Sequence, residues 1–164
     1  MNKVNHVAFI MDGNGRWGKK KKRGRNFGHL KGVEVVKKIV QSSIKYKIPV
    51  VTFYVFSSEN WSRPKREIDY LFRLINNYFS KEILNTIKEG IKINILGEID
   101  KLPKDIKKTL KSAINKTKKN KKILVNLAIN YGSKKEILIA IKKNKKKVNQ
   151  ANFEENLFTK NIPY

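Results

Sequence analysis

The segment Met11–Trp17 (MDGNGRW) places an acidic and a basic side chain next to two glycines. Asp12 offers a carboxylate oxygen, a hard ligand that suits Mg²⁺. Gly13 and Gly15 let the backbone approach a diphosphate and donate N–H groups to it. Arg16 adds a planar guanidinium for phosphate oxygens. The segment therefore suggests a site for a metal ion and a diphosphate, although its spacing alone also fits a solvated turn with a helix-capping Asp.

A second polar cluster, Ser57–Arg63, directly follows an apolar run. It combines hydroxyl, carboxylate, amide, indole and guanidinium groups within one short connection. Such groups are costly at the edge of a core unless their polar atoms find partners. The cluster therefore indicates substrate contacts, and the structural alternative is a Ser-capped helix start with Trp61 as a lid over the core.

Arg25 and His29 stand where the first long helix is expected to begin. The first turn of a helix attracts anions through its free N–H groups and its dipole. A single histidine is more often structural than catalytic, so His29 gains weight only from its position near Arg25. With the two clusters above, this pair predicts a diphosphate site with one metal ion, next to a hydrophobic interior.

Four apolar runs predict the strands that must position these groups. They are rich in β-branched and aromatic residues, and they lie at His6–Met11, Val50–Phe56, Ile91–Leu96 and Ile123–Ile129. Helical patterns alternate with them, which predicts an α/β fold with a parallel β-sheet flanked by helices. Ligands in such folds bind beyond the carboxyl ends of the strands. The segments at those ends are Asp12–Gly28, Ser57–Arg63 and Asn130–Ser133.

Apolar spacing also predicts the helices. The first follows Gly28, a long second one follows Pro64, and a Lys-rich third one follows Pro103. Ser133, three residues before Glu136, fits a capping box for the next helix. A short last helix is expected at 153–158. Because there is no internal repeat, residues 1–164 are predicted to form a single domain.

The formal net charge of +25 limits the function less than its size suggests. A basic chain attracts nucleic acid, anionic lipid and phosphorylated substrates. However, the lysines are spread along helices, and Lys, Ile and Asn share AT-rich codons, so base composition explains much of the bias. A nucleic-acid-binding domain would need charge on one face with base-stacking aromatics. Here the aromatics fall mostly in strands and helix cores, so no nucleic-acid partner is expected.

Three absences concern compartment and metal chemistry. There is no cysteine, so neither a disulfide framework nor a thiolate metal site can form. No apolar stretch approaches the roughly 18 residues that a membrane span requires. The chain enters its first strand without a signal-peptide apolar region. We therefore expect a cytoplasmic protein.

Four blocks of the sequence resemble those of the cis-prenyltransferases, the family of undecaprenyl diphosphate synthase. They are HVAFIMDGNGRW (His6–Trp17), RNFGH (Arg25–His29), TFYVFSSENWSRP (Thr52–Pro64) and NLAINYGS (Asn126–Ser133). The resemblance implies a Mg²⁺-dependent enzyme that condenses isopentenyl diphosphate with an allylic diphosphate, such as farnesyl diphosphate, to make a cis-polyprenyl diphosphate. It further implies an undecaprenyl diphosphate synthase-like parallel-sheet fold with a hydrophobic tunnel, usually a homodimer, and it leaves peripheral membrane contact open.

The resemblance also implies roles for individual residues in the matching blocks. Asp12 would coordinate Mg²⁺ and assist the departure of the allylic diphosphate. Asn60 would take part in removing a proton from the condensing isopentenyl unit. The allylic diphosphate would be held by Gly13, Asn14, Gly15, Arg16, Arg25 and His29. The substrate site would be lined by Trp17, Ser57, Ser58, Glu59, Trp61 and Arg63.

The match departs from the family pattern in two places. Ser133 stands where the family usually has a second glycine. Relatives continue after a segment like Asn161–Tyr164 with a strand, an Arg-rich motif for isopentenyl diphosphate and a second metal-site carboxylate. We therefore expect an incomplete domain that lacks the C-terminal third. The alternative interpretation is an inactive fragment or a non-catalytic accessory subunit. The missing C-terminal third argues for the accessory subunit, and the presence of Asp12, Arg16, Arg25 and Asn60 argues against it.

Overall fold

A computed structural model describes residues 4–144, 148–160 and 162. Of the segment 161–164 discussed above, only Ile162 is among the described residues. Four strands form one parallel sheet in the order β1-β2-β4-β3. They are β1 (His6–Ile10), β2 (Val50–Ser57), β3 (Ile91–Leu96) and β4 (Ile123–Tyr131). The predicted parallel sheet flanked by helices is confirmed.

Six helices connect or follow these strands in the described part of the chain. They are α1 (Asn14–Lys20), α2 (Gly24–Lys45), α3 (Lys65–Lys88), α4 (Lys104–Thr117), α5 (Ser133–Lys143) and α6 (Gln150–Glu154). Two short 3₁₀ helices, Ser58–Ser62 and Ile99–Lys101, precede α3 and α4. None of the helices described is long and apolar enough to cross a lipid bilayer.

The main core lies between one face of the sheet and helices α2, α3 and α4. Alternate strand residues such as Phe53 point into it, and the predicted apolar faces of α3 and α4 meet them with Phe72, Phe79, Ile106 and Leu110. Burying a side chain of this size stabilises the fold by about 1.5–3 kcal/mol. This core fixes where β2 ends and where α2 and α3 begin, and therefore where the polar segments lie.

The opposite face of the sheet carries a row of polar side chains that crosses all four strands. The Asn126 amide donates to Thr52 Oγ1 (3.1 Å) and accepts from Asn94 Nδ2 (2.9 Å). His6 Nε2 lies 2.8 Å from the same Thr52 oxygen. Thr52 and Asn94 are both register partners of Asn126. Because Asn126 is fully buried, these bonds satisfy groups that would otherwise be costly to bury.

The predicted start of the first long helix was wrong. That helix was expected to follow Gly28; instead a short helix, α1, lies within Asp12–Gly28, and α2 begins at Gly24. The two helices cross closely at Gly18 and Gly28, where side chains would clash with backbone. The sequence of α1, NGRWGKK, contains two glycines and one apolar side chain, Trp17, so it has little apolar periodicity and its helical state depends on the contact with α2.

The two C-terminal helix predictions also need correction. Ser133 is the first residue of α5 rather than its cap, because Gly132 continues the extended backbone up to the helix. The buried Glu136 accepts hydrogen bonds from the Tyr131 hydroxyl and the Phe158 N–H, both at 2.7 Å, so it is not available for a capping box. The last helix lies earlier than expected because Asn149 caps it by accepting from the Asn152 N–H.

Candidate functional site

A cavity of about 650 Å³ lies at the carboxyl ends of β1 and β2 and is also lined by α1, α2 and α3. This volume falls within the range of small-ligand sites. Ten of the fourteen predicted site residues line it: Asp12, Gly13, Asn14, Gly15, Arg16, Arg25, His29, Ser57, Asn60 and Arg63. The structure thus brings together residues from three separate segments of the chain, as the rule for parallel sheets predicts.

The first part of the cavity wall is the turn from β1 into α1. Gly13 has a φ of +83°, a left-handed conformation that glycine adopts without strain. Its carbonyl oxygen accepts the Trp17 N–H (2.8 Å) and so starts α1. Arg16 donates to Asp12 Oδ2 (2.9 Å), and the two side chains are 76% and 74% exposed. An ion pair this exposed contributes little to the stability of the fold. Each of its two side chains can therefore leave the other and bind a ligand at little cost.

The crossing of α1 over α2 holds that turn against the cavity. A Cβ atom on Gly28 would lie 1.8 Å from the backbone oxygen of Asn14, and one on Gly18 would lie 2.2 Å from the backbone oxygen of Gly24. Only glycine therefore permits this approach. A Cβ atom on Gly15 would lie 3.2 Å from Nε of Arg25. The crossing therefore places the turn directly beside the Arg25 guanidinium.

Glu67, which the sequence analysis did not single out, is a buried carboxylate in contact with the cavity lining. Its side chain is 9% exposed, and Oε1 accepts from Arg25 Nη2 (3.3 Å) and Arg63 Nη1 (3.3 Å) and lies 3.2 Å from His29 Nε2. Nε of Arg25 lies 2.9 Å from Oε2. One carboxylate therefore contacts three side chains that line the cavity. The i,i+4 spacing of Arg63 and Glu67 across a helix start was the available sequence signal.

These contacts determine the charge states of the cluster. Burial alone would raise the pKa of Glu67, but hydrogen bonds from Arg25 and His29, with the charges of Arg25 and Arg63, hold that pKa below its usual value of 4.5. Burial lowers the pKa of His29 below 6.5 despite the opposing effect of Glu67. Near neutral pH the cluster therefore combines an ionised Glu67, two guanidinium cations and a neutral imidazole.

The segment after β2 forms the 3₁₀ helix Ser58–Ser62, with Ser57 at its N-cap. The Ser57 N–H donates to Asn60 Oδ1 (3.2 Å), which fixes the Asn60 side chain at the cavity wall. Trp61 packs against Phe56 and Phe72 with ring centroids 5.2 Å and 5.7 Å away. This packing matches the alternative interpretation of Trp61 as a lid over the core.

Four predicted site residues lie outside the cavity lining: Trp17, Ser58, Glu59 and Trp61. The Trp61 indole N–H donates to Asn130 Oδ1 (2.8 Å), which ties the 3₁₀ helix to the end of β4. Trp17 stacks on Phe27 with centroids 5.7 Å apart and stays partly exposed. Glu59 is exposed. Its pKa is lowered by a hydrogen bond from its own backbone N–H and by hydrogen bonds from the side chains of Ser57 and Ser58.

The rest of the cavity wall is largely apolar. Along α2 the lining runs from Arg25 through His29 to Val36. Val36 lies about 16 Å from Arg25 along the helix axis, at 1.5 Å per residue. Along β2 and α3 this part of the lining consists of Tyr54, Val55, Phe56, Leu71, Leu74 and Ile75. The cavity therefore joins a cationic end to an elongated apolar part, which suits a ligand with an anionic head and a hydrocarbon chain.

A profile of the family described as "Putative undecaprenyl diphosphate synthase" matches residues 10–164. The chain belongs to this family. The cis-prenyltransferase resemblance drawn from the four sequence blocks is thereby confirmed.

Curated relatives in this family include the isoprenyl transferases of Halalkalibacterium halodurans and Prochlorococcus marinus, which are 41% and 42% identical to the chain. Each alignment covers 96% of this chain but only 61% and 60% of the relative. A ditrans,polycis-undecaprenyl-diphosphate synthase ((2E,6E)-farnesyl-diphosphate specific) from Micrococcus luteus is 39% identical over 96% of this chain and 68% of its own. The chain thus spans about three-fifths of the length of the first two relatives.

Solved structures of prenyl diphosphate synthases share the fold. Lavandulyl diphosphate synthase from Lavandula x intermedia, in complex with dimethylallyl diphosphate, has a TM-score of 0.91 at 26% identity and covers 98% of this chain and 73% of its own. A probable undecaprenyl diphosphate synthase from Campylobacter jejuni has a TM-score of 0.79 at 28% identity, covering 96% and 71%. The undecaprenyl diphosphate synthase-like fold expected from the sequence is therefore confirmed.

The cavity fits the magnesium ion that the resemblance implies. Asp12 supplies the one carboxylate among the described lining residues, and it is exposed beside Arg16. No group of three His, Cys, Asp or Glu side chains within residues 4–144, 148–160 and 162 could hold a metal ion alone. Mg²⁺ typically keeps several waters and binds through one or two carboxylates plus substrate phosphates. A single exposed carboxylate beside Arg16, in a cavity that Arg25 and Arg63 also line, is compatible with that requirement.

Proposed function

We propose that this chain binds an allylic isoprenoid diphosphate and serves a Mg²⁺-dependent prenyl transfer that extends it with isopentenyl diphosphate to a cis-polyprenyl diphosphate. The observation that carries the proposal is the cavity in which Arg25, Arg63 and the Gly13–Gly15 backbone adjoin an aliphatic wall from α2 and α3. The diphosphate would lie against the cations, and the hydrocarbon would extend along the wall towards Val36.

The chemistry of the lining supports this assignment. Breaking the carbon–oxygen bond of an allylic diphosphate develops negative charge on the leaving group, and fixed guanidinium and N–H donors stabilise that charge. The aliphatic residues of α2 and α3 would exclude water from the allylic cation. Asn60 lies in the same lining, which supports its proposed part in taking a proton from the isopentenyl unit after the new carbon–carbon bond forms.

Asp12, with the diphosphate oxygens, would hold Mg²⁺, which supplies further neutralisation of the leaving group worth several kcal/mol in such roles. Arg16 is paired with the same carboxylate. Binding of the diphosphate would give Arg16 a new partner and leave the Asp12 carboxylate free to coordinate the ion.

Binding is tested by calorimetric titration of the chain with farnesyl diphosphate in the presence of Mg²⁺. Farnesyl monophosphate and inorganic pyrophosphate serve as ligands that lack one phosphate or the hydrocarbon. We expect farnesyl diphosphate to bind most tightly, because farnesyl monophosphate offers one phosphate fewer to the cations and pyrophosphate lacks the hydrocarbon that would contact the apolar wall. If farnesyl diphosphate does not bind, or binds no better than pyrophosphate, the proposal is wrong.

A matched pair of variants locates the binding site. Arg25→Ala should weaken the affinity for farnesyl diphosphate about tenfold to hundredfold, because a hydrogen bond to a charged group contributes about 1.5–3 kcal/mol. Arg73→Ala removes an exposed arginine of α3 outside the cavity and should leave the affinity unchanged. Equal losses in the two variants would indicate attraction by overall charge rather than by this cavity.

Transfer is measured separately, by incorporation of radiolabelled isopentenyl diphosphate into lipid-extractable product. Incorporation above a no-enzyme control supports catalysis by this chain. Binding of farnesyl diphosphate without incorporation would favour the alternative of an inactive fragment or an accessory subunit of the same fold.

Homodimer formation and peripheral membrane contact are proposals for this chain as well. Three exposed apolar side chains on α5, Ile137, Leu138 and Ile141, support self-association. Sedimentation velocity should show a dimer that Leu138→Lys converts to a monomer.

The net charge of +25 supports contact with anionic lipid. Flotation of the protein with phosphatidylglycerol vesicles tests this membrane contact.

A further inference from the structure

The Glu67 carboxylate is more deeply buried than the cations that it binds. Its side chain is 9% exposed, whereas those of Arg25 and Arg63 are 41% and 32% exposed. The guanidinium groups therefore present part of their surface to the cavity while the carboxylate holds them from behind. An ion pair that served stability alone would not need two arginines on one carboxylate, since buried pairs recover little beyond their desolvation cost.

The same carboxylate defines the protonation of His29. A carboxylate oxygen only accepts hydrogen bonds, so the His29 nitrogen 3.2 Å from Oε1 must carry the hydrogen. The neutral imidazole is then fixed with a hydrogen on Nε2 and a lone pair on Nδ1. Glu67 thus determines both the position of two cations and the tautomer of a third cavity residue.

The three partners come from distant parts of the chain. Arg25 and His29 belong to the first turns of α2, and they precede Glu67 by 42 and 38 residues. Arg63 follows the 3₁₀ helix that leads into α3. The carboxylate is therefore the point at which the two helix starts on either side of the cavity are joined.

From this geometry we propose that Glu67 is a positioning residue, which pre-arranges Arg25, Arg63 and His29 to receive a diphosphate rather than a single phosphate. The inference rests on the proposed function, because it concerns the recognition step of the same cavity. Long side chains that are already ordered lose less conformational entropy when a ligand binds. Removing the restraint on two arginines should therefore lower diphosphate affinity about tenfold to hundredfold.

Glu67→Gln separates positioning from simple electrostatics, because the two predict opposite signs. The variant removes a negative charge next to an anion site, so charge alone would strengthen the binding of every phosphate. Loss of positioning would instead weaken inorganic pyrophosphate more than orthophosphate, because only the longer anion needs both guanidinium groups at a set separation. The ratio of the two affinities is therefore the decisive quantity.

The experiment compares wild type, Glu67→Gln, Glu67→Asp and Glu82→Gln by calorimetric titration with pyrophosphate and with orthophosphate at fixed Mg²⁺ and ionic strength. Glu82 is the matched control because its pair with Lys37 (2.9 Å) also joins α3 to α2 but lies outside the cavity lining. Glu67→Gln should lose about tenfold to hundredfold in pyrophosphate affinity, Glu67→Asp less, and Glu82→Gln none. The ¹⁵N shifts of His29 should show its Nε2-H form in wild type and a mixture of tautomers in Glu67→Gln.

Each outcome decides the matter. If wild type binds pyrophosphate and Glu67→Gln binds it as well or better, or loses affinity for pyrophosphate and orthophosphate by the same factor, the positioning role is refuted while the proposed function stands. If Glu82→Gln loses as much as Glu67→Gln, the effect is one of helix packing and the inference fails. If wild type shows no preference for pyrophosphate over orthophosphate, the proposed function fails together with it. Should Glu67→Gln not fold, judged by thermal unfolding, Glu67→Asp with an unchanged affinity ratio would equally overturn the proposal.

Discussion

Replacing Gly28 by alanine perturbs the crossing of α1 over α2 at its tightest point. The new Cβ would lie 1.8 Å from the backbone oxygen of Asn14. A carbon–oxygen contact requires about 3.3 Å, so α1 or α2 must move by about 1.5 Å. Because the obstacle is backbone, no side-chain rotation can relieve it. The turn that carries Asp12 and Arg16 must then move relative to Arg25.

The expected free-energy change combines two opposing contributions. Alanine in a helix interior is favoured over glycine by about 1 kcal/mol. Forcing an extra methyl group into a close contact typically costs about 1–3 kcal/mol or more. Because the obstacle is backbone at 1.8 Å, the upper end of that cost applies, and after the helix preference is subtracted we expect Gly28→Ala to lower the free energy of unfolding by about 2 kcal/mol or more. A displacement of this size should also weaken binding or turnover by about a hundredfold, since misplacement by about 1 Å can have that effect.

Urea unfolding and farnesyl diphosphate titration measure the two effects on the same samples. Gly32→Ala is the control, because it makes the same change one turn later on α2 and its Cβ would meet only the Asn14 side-chain amide, at 2.7 Å. That amide can rotate, so a smaller loss in both measurements is expected. A Gly28→Ala protein as stable as wild type, with unchanged affinity, would refute the argument that this crossing positions the site.

Other predictions concern single contacts of the site. Asp12→Asn should remove the dependence of farnesyl diphosphate affinity on Mg²⁺ concentration, and a preserved dependence would exclude Asp12 as the ligand. Trp61→Phe should lower the urea-measured free energy of unfolding by about 1–3 kcal/mol, because it leaves the buried Asn130 oxygen without its donor; an unchanged midpoint would contradict this. Acidification should destabilise the fold in two steps. The pKa values of His29 and Glu67 are lower in the folded state than in the unfolded chain, so the unfolded chain binds these protons at higher pH. The His29 step is expected below pH 6.5 and the Glu67 step below pH 4.5. Urea midpoints at pH 7.5, 5.5 and 4.0 test this, and His29→Gln should flatten the first step.

The sheet and its binding edge could be predicted because buried parallel strands and amphipathic helices leave strong local patterns. Runs such as Val50–Phe56 contain almost only apolar residues, which is typical of strands covered on both faces. Strand order was not needed to place the site, because the carboxyl ends of parallel strands all lie at one edge. For this reason the residues after β1 and β2 could be grouped before the structure was known.

What could not be predicted depends on contacts between distant residues. Glu67 shows only its pair with Arg63 in the sequence, while its partners in α2 lie 38 and 42 residues away. Trp61 appeared in a motif beside cavity residues, but its ring is held by Phe56 and Phe72. Whether a polar or aromatic residue in a motif faces a ligand or the core is determined by tertiary packing, which no local pattern records.

The polar row across the sheet has a consequence for folding accuracy. Strands made of interchangeable Val, Ile and Leu residues could pair in several alignments at similar free energy. A one-residue slip of β4 would turn Asn126 to the face of the sheet that packs against α2, α3 and α4, and would separate it from Thr52 and Asn94. Each buried polar group left unpaired costs about 1–3 kcal/mol. The row therefore favours the observed register of the strands over registers shifted by one residue. The same register determines which residues of β1 and β2 lie beside the cavity.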